Sequence, residues 1–233
     1  MSHPTKPLDR IRTVIAATRA AIADPEDTAQ AFRIAEALSF RTPERMLVRF
    51  RGHRDGARLL CRRDDIVSIL TDRAALEAMP DGSLGRAYLA FLDSEGITAE
   101  GLVEASHEGA GSQFYGADND LAFVRRRMRD THDLWHTVTG YKGDLLGEAS
   151  LLAFTFAQTG HPGVGFLAGL GVVLADDPRV RTMIADGYRR GKRASWLPPA
   201  DWAVLLPTAL AEVRKKLGID PVPDYEPVRD RLH

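Results

Sequence analysis

The stretch "THDLWHTVTGYKGDLLGE", residues 131–148, sets two histidines, an aspartate and a glutamate in a segment broken by three glycines. Its upstream flank decides how they are presented. From Asn119 or Asp120 to Val138 there is no Pro or Gly, and Leu121, Val124, Met128, Leu134, Trp135 and Val138 recur as apolar positions, which predicts one long helix. At about 100° per residue, His136 lies about 40° round from His132 and Asp133 about 60° beyond His136, so the three share one face. Histidines at i and i+4 have the spacing used to hold one metal ion.

Glu148 lies twelve residues past His136, about 18 Å further on if the helix ran straight. The chain must therefore reverse. Gly140, Gly143 and Gly147 allow this, and Asp144 suits the N-cap of a following helix, "LLGEASLLAFTFAQTG", whose first turn would carry Glu148 back to the histidines. Two histidines and two carboxylates make a mixed nitrogen and oxygen site, suited to Zn²⁺ or to a harder or redox-active divalent ion. Spacing alone leaves two readings open: a metal site, and a solvated polar stripe.

The 233 residues suffice for one large domain with a substantial core. With 31 basic and 32 acidic residues there is no global field to attract nucleic acid, so any charge-based function is local. The lone cysteine, Cys61, excludes a disulfide framework or a cysteine-rich zinc site and is read as a packing residue in a reducing compartment. The N-terminus has no apolar targeting core, and its early Asp9 and Asp24 argue against a mitochondrial presequence, so a cytoplasmic protein is expected. The most apolar run, "GVGFLAGLGVVLA" at 163–175, is too short at about 20 Å to cross a bilayer of about 30 Å.

Helical punctuation elsewhere predicts a mainly α single domain. Asp24 and Pro25 would open a helix over "DPEDTAQAFRIAEALS". The segment 62–96 reads as two helices split by Pro80-Asp81-Gly82, and Thr98 would cap a shorter one. A C-terminal helix would be interrupted by Pro207 and stopped by Gly218. Only "RMLVRFRG" and "ARLLC" look strand-like, which suggests a small hairpin near 46–61.

The pattern H-D-x-x-H, eleven residues, then E resembles the signature of the Coq4 family of ubiquinone (coenzyme Q) biosynthesis proteins. "LGRAYLAFL" at 84–92, "FVRRRMRDTHDLWH" at 123–136, "LLGEASLLAFTFAQTGHP" at 145–162 and "ALAEVRKKLGI" at 209–219 are similar to family segments in the same order. The likeness covers residues from about 66 onwards; 1–65 form an N-terminal helical region with little to match, expected to join 66–233 in one compact unit. It implies that His132, Asp133, His136 and Glu148 bind a divalent metal, most often Zn²⁺, with Fe²⁺, Mn²⁺, Co²⁺ or Mg²⁺ as alternatives. It also implies oxidative replacement of the ring carboxylate of a polyprenylated hydroxybenzoate by a hydroxyl, and organisation of other quinone-making enzymes at a membrane.

Arg127 and Arg129 stand where the family carries basic residues, and Arg129, near the same helix face, could meet a substrate carboxylate bidentately. Arg125 and Arg126 read as a solvated basic face, Trp135 as core, and His107 and His161 as loop residues. "LLAFTFAQTGHPGVGFLAGLGVVLA" could line a groove for a polyprenyl tail or simply pack the core. "YRRGKRASWLPP", with Arg189, Arg190, Lys192 and Arg193 beside Trp196, suits an anionic bilayer surface or a solvated loop. The expected location is thus the cytoplasmic face of the inner membrane, peripherally, with a homodimer left open. Two rival functions are a metal-stapled lipid-binding scaffold and a phosphohydrolase of the His-Asp class; the latter needs a further upstream histidine and a distant aspartate, and only His53 and His107 precede the motif in the interior of the chain.

Overall fold

Residues 7–95 form seven helices: α1 (Pro7–Ala23), α2 (Thr28–Ala37), α3 (Thr42–Gly52), α4 (Arg54–Arg62), α5 (Ile66–Thr71), α6 (Arg73–Glu77) and α7 (Leu84–Glu95). Among the described residues from 120 onwards there are seven more: α8 (Asp120–Asp130), α9 (His132–Thr139), α10 (Leu145–Thr159), α11 (Pro162–Leu174), α12 (Pro178–Arg193), α13 (Trp202–Leu205) and α14 (Leu210–Leu217). The computed structural model describes residues 7–24, 27–98, 101, 104, 108, 118–222 and 224–228. Among these there is no strand, only an isolated antiparallel bridge between Ser83 and Ala209.

The expected hairpin is two helices. Thr42, Met46 and Phe50 recur every four residues and are buried together, and Pro43 in the first turn sets the helical φ of α3. His53 then caps α4, its Nδ1 accepting from the Asp55 amide at 3.3 Å. Cys61, expected to pack, is exposed on α4.

Three helix boundaries also differ from expectation. Asp24 ends α1 rather than opening α2: its amide bonds to the Ala20 carbonyl at 2.8 Å, and Asp27 precedes α2. Asp72 caps the Ala75 amide and divides the segment before Pro80 into α5 and α6. The predicted long helix is α8 and α9, separated at Thr131, whose hydroxyl donates to the Arg127 carbonyl at 2.8 Å and competes with the regular ladder. In the C-terminal region Pro207 and Gly218 act as expected, between α13 and α14 and as the left-handed cap of α14.

α9 runs through the centre of the molecule. Leu134, Trp135 and Val138 join Tyr88 and Leu92 of α7, Leu151 and Phe154 of α10, and Leu197 and Trp202 in one buried cluster. The close pairing of α10 with α12 depends on glycine. A methyl group at Gly187 would overlap the Ser150 carbonyl, and one at Gly191 would press on the Phe154 backbone. Such overpacking against backbone costs about 1–3 kcal/mol. Gly187→Ala should therefore lower stability by about 2 kcal/mol in urea unfolding, whereas Gly169→Ala, which meets nothing within 4 Å, should leave the midpoint unchanged or raise it.

Candidate metal centre

His132 opens α9 and His136 follows one turn later, so both imidazoles leave the same side of the helix. Gly140 then takes φ +83°, a left-handed cap that suits glycine, and Tyr141 through Gly143 carry the chain round to α10. Asp144 caps α10 by accepting from the Leu146 and Gly147 amides at 3.1 and 3.3 Å. Glu148 thus falls in the first turn of α10, as the glycines and the cap suggest.

The reversal is held from outside by the C-terminal segment. The Tyr225 hydroxyl donates to Asp144 Oδ2 at 2.7 Å and accepts from the Lys142 amide at 2.9 Å. The Val228 amide donates to Asp144 Oδ1 at 2.9 Å, and the Leu145 amide to the Val228 carbonyl at 2.8 Å. Burial and the Asp144 carboxylate both push the Tyr225 phenol well above its ordinary range, so it stays a donor. Gly147 lies against the Lys142 carbonyl and the Tyr225 hydroxyl with no room for a side chain. Nothing in residues 219–228 marks this clamp as a motif.

At the centre, His136 Nε2 lies 3.1 Å from Glu148 Oε1, and His132 Nε2 lies 3.5 Å from Glu148 Oε2. The two Nε2 atoms are 3.2 Å apart. The three residues each offer a ligand atom, all within 4.8 Å of one another. His136 Nδ1 is 3.0 Å from the Tyr141 carbonyl and donates to it, which leaves the Nε2 lone pair facing His132 and Glu148. Phe91 stacks on the His136 ring with centroids 5.1 Å apart. This donor set fits a divalent metal: two imidazole nitrogens, that of His136 fixed in orientation, and a carboxylate converge on one point.

Burial differs sharply across the group. The His136 side chain is 1% exposed and that of Glu148 41%, so the centre is closed on the core side and open on the other. Burial alone would raise the Glu148 pKa, but the charge and hydrogen bonds of His136 and His132 outweigh it and hold the carboxyl well below its usual range. Burial would likewise lower that of His136, and Glu148 and Asp133 reverse the sign. Asp133 is buried next to the group without being one of the three convergent residues; burial raises its pKa, offset in part by both histidines.

The open side gives onto a cavity of about 270 Å³ whose wall includes His132, Glu148, Leu152, Thr155, Arg129 and His161. Leu152, Thr159, Val164 and Leu167 come from the stretch expected to hold a tail, and line it together with Ala31, Phe32 and Met46 of α2 and α3. Those N-terminal helices carried no legible motif. Arg129 is on the wall, but it is buried and its Nε donates to Asp130 at 2.6 Å. Arg125, expected in solvent, is also on the wall, paired with Glu36 of α2. Trp135 is core, as expected. His161 is a loop residue, as expected, at the N-terminal boundary of α11 with no side-chain cap, and it also lines the cavity. His53 is occupied at α4 and packs against Trp196, while His107 lies outside the described residues.

"YRRGKRASWLPP" is no loop over its first half, which forms the last turns of α12. Arg190 turns inward, donating to the Thr139 carbonyl at 2.9 Å and to that of Asp220.

The family model for the coenzyme Q (ubiquinone) biosynthesis protein Coq4 matches residues 1–223, including the N-terminal helices. A mitochondrial ubiquinone biosynthesis protein COQ4 from Pyricularia oryzae is 32% identical over 179 residues, 76% of this chain and 57% of that protein. The Danio rerio mitochondrial homologue is 28% identical over 227 residues, 95% of this chain and 81% of its own length. Against the first fungal relatives the chain spans about half to two thirds of their length, 50% for Neurospora crassa and 65% for Yarrowia lipolytica. The crystal structure of a Nostoc punctiforme chain named for ubiquinone biosynthesis shares the fold, with a TM-score of 0.67 at 23% identity over 91% of this chain and 97% of that one. A helical fold that returns a glutamate to an H-D-x-x-H helix, and a family match that begins at residue 1 and runs to residue 223, place this chain in the Coq4 family of ubiquinone biosynthesis proteins.

Proposed function

We propose that the chain carries out metal-dependent oxidative decarboxylation of a polyprenylated 4-hydroxybenzoate, replacing the ring carboxylate with a hydroxyl. The observation that supports this reading most is the position of the His132–His136–Glu148 group at one end of a largely apolar cavity. A charged ring head with an isoprenoid tail requires that combination. A divalent cation held there, with Zn²⁺ the first candidate and Fe²⁺, Mn²⁺, Co²⁺ or Mg²⁺ the alternatives, would supply Lewis acidity towards the ring carboxylate. Asp133, buried beside both histidines but outside the convergent three, joins them as a fourth donor only if its carboxylate turns towards the ion.

The protein's own groups orient and protect the reacting end. The Tyr141 carbonyl fixes the His136 ring and Phe91 covers its face, excluding water from the core side. Glu148 carries its carboxylate on the open side; held below its usual range by the two histidines, it takes up a proton only when it turns away from them. Arg129 contributes charge to the wall, and its bidentate use on a substrate carboxylate requires the pair with Asp130 to rearrange. The overall change breaks the bond between the ring and its carboxylate, releases CO₂, attaches the oxygen of a water molecule to the same ring carbon, and passes two electrons and two protons to O₂, giving hydrogen peroxide, or to another two-electron acceptor.

The position of the group, between α9 and α10, also supports a second reading, in which the ion staples a lipid-binding scaffold for other quinone-making enzymes. Turnover separates the two. Metal-loaded protein supplied aerobically with a prenylated 4-hydroxybenzoate should release CO₂ from the ring carboxylate, and Glu148→Gln should reduce kcat by about 100-fold or more with the fold retained. No CO₂ from the unmodified protein, across several ring substitution patterns, would leave only the scaffold.

We also propose peripheral attachment to an anionic bilayer, consistent with the fact that no helix among the described residues is long and apolar enough to cross a membrane. α1 packs its Ala17 side inwards and turns Leu8, Ile11, Ile15 and Ile22 outwards, one stripe flanked by the exposed Arg12 and Arg19. Large apolar residues bordered by arginine are the pattern of a helix lying in a headgroup layer. Ile11→Asp with Ile15→Asp should abolish co-sedimentation with phosphatidylglycerol vesicles; unchanged co-sedimentation would exclude α1 as the contact.

A further inference from the structure

The arginines of α3 have no use in the site described so far. Arg41, just before the helix, Arg45 and Arg49 recur at every fourth residue and are all exposed. At about 100° per residue they lie within about 80° of one another, on one face shared with Val48 and Gly52. Thr42 and Met46 line the cavity from the other side of the helix, so the row faces away from the metal centre. It meets a second basic segment at Trp196. The Arg49 guanidinium lies over the Trp196 ring, 3.9 Å from its centroid, and His53 packs edge-on against the same ring with centroids 5.9 Å apart. Lys192 and Arg193, at the end of α12 and within four residues of Trp196, are also exposed.

Among the described residues none of these five cations has a carboxylate partner; Arg45 donates to the Thr42 hydroxyl at 3.2 Å and Arg49 rests on the indole. Nearby arginines are matched: Arg51 with Asp120 at 2.6 Å, Arg58 with Asp55 at 3.1 Å and Arg62 with Asp201 at 2.8 Å. Glu44, the acid on the exposed side of α3, lies about 60° from Arg41 on the border away from Arg49. Local stability does not account for the row. Like charges four residues apart repel along a helix, and Arg41 stands at the positive end of the helix dipole.

We propose that the outer face of α3, with the end of α12, docks an acidic segment of a partner protein whose carboxylates recur about every 6 Å, the spacing of Arg41, Arg45 and Arg49 along their helix. Guanidinium forks take carboxylates bidentately, and the stack on Trp196 holds Arg49 in place before the partner arrives. A bilayer fits this face less well. A helix in a headgroup layer buries a wide apolar stripe, whereas Val48 is the one large apolar side chain exposed on α3. Trp196 is not free to enter a membrane either: its Nε1 donates to the Gln158 carbonyl at 3.1 Å and Arg49 covers its ring. The formal net charge of the chain is −1, so the attraction belongs to this face rather than to the molecule as a whole. The surface requires neither the decarboxylase nor the α1 contact.

Fluorescence anisotropy of the full-length metal-loaded protein tests this with two labelled alanine-based helical peptides, one carrying glutamate at every fourth position and the other glutamine. The glutamate peptide should bind about tenfold more tightly at low salt, and the preference should shrink as salt is added. Arg45→Gln with Arg49→Gln should weaken its binding about fivefold. Arg41→Gln with Arg45→Gln, which leaves the stack on Trp196 in place, should weaken it by a similar factor while the melting temperature stays unchanged or rises, since like-charge repulsion is relieved; a structural role for the row would lower it. Arg58→Gln, at an arginine already matched by Asp55, should change the affinity by less than about twofold. Equal affinity for the two peptides, binding of neither, or the same loss in Arg58→Gln as in the double variants would overturn the proposal. Phosphatidylglycerol vesicles supply the other arm: vesicle binding that both double variants lose, with no binding of the glutamate peptide, would assign the face to a bilayer and overturn it as well.

Discussion

A hydrogen bond of 3.0 Å from His136 Nδ1 to the Tyr141 carbonyl ties the buried histidine to the loop that returns the chain to it. Five residues separate the two, and within that span the helix ends at a left-handed glycine and the backbone reverses. The bond sets which imidazole nitrogen is free, and the same reversal sets where Glu148 arrives. If the loop moved, the ring and the carboxylate would be misplaced together. The candidate centre is in this sense one local structure rather than three independent side chains.

That local structure is built against strong constraints. Asp144 is 2% exposed, and such a carboxylate is tolerable only because backbone amides and the Tyr225 hydroxyl surround it. The donors come from two directions, the first turn of α10 and the segment after α14, so the cap of one helix is also the anchor of the C-terminal region. On its other side α10 is fixed against α12 through glycine contacts that admit no side chain. Glu148 therefore projects from a helix held at its start and along its length, which presents a half-exposed carboxylate to the two histidines. The wall opposite is supplied by α2 and α3, so the N-terminal helices complete a cavity whose convergent histidines and glutamate lie in α9 and α10.

The parts legible in the sequence are those that local rules determine. The i, i+4 histidines, the cap at Asp144 and the glycine-broken reversal each follow from backbone geometry, and together they place Glu148 correctly. Thr131 escaped notice because its side chain competes with the helix ladder without any Pro or Gly to mark the break. The false hairpin arose because a short arginine-rich alternation in "RMLVRFRG" hides a four-residue spacing of Thr42, Met46 and Phe50, and short apolar runs do not distinguish the two periods. The clamp by Tyr225 and Val228, the pairing of Arg125 with Glu36, and the inward turn of Arg190 are long-range contacts between segments with no common pattern. Arg129 was read as free because helical position predicts a face, not the neighbour that occupies the guanidinium. His161 was read only as a loop residue for a similar reason: its place before Pro162 indicates a turn, while its position on the cavity wall is a property of the packed fold.

The central claim is that His132, His136 and Glu148 converge on one metal ion. Its most direct test is X-ray absorption spectroscopy at the metal edge, on protein purified without a histidine tag and shown by mass spectrometry to carry about one ion per chain. The account predicts a shell of nitrogen and oxygen only, at about 2.0–2.2 Å, with the outer-shell scattering of two imidazoles that falls to one in His132→Ala. Absence of bound metal, sulfur scattering near 2.3 Å, or an imidazole signal unchanged by that substitution would contradict it.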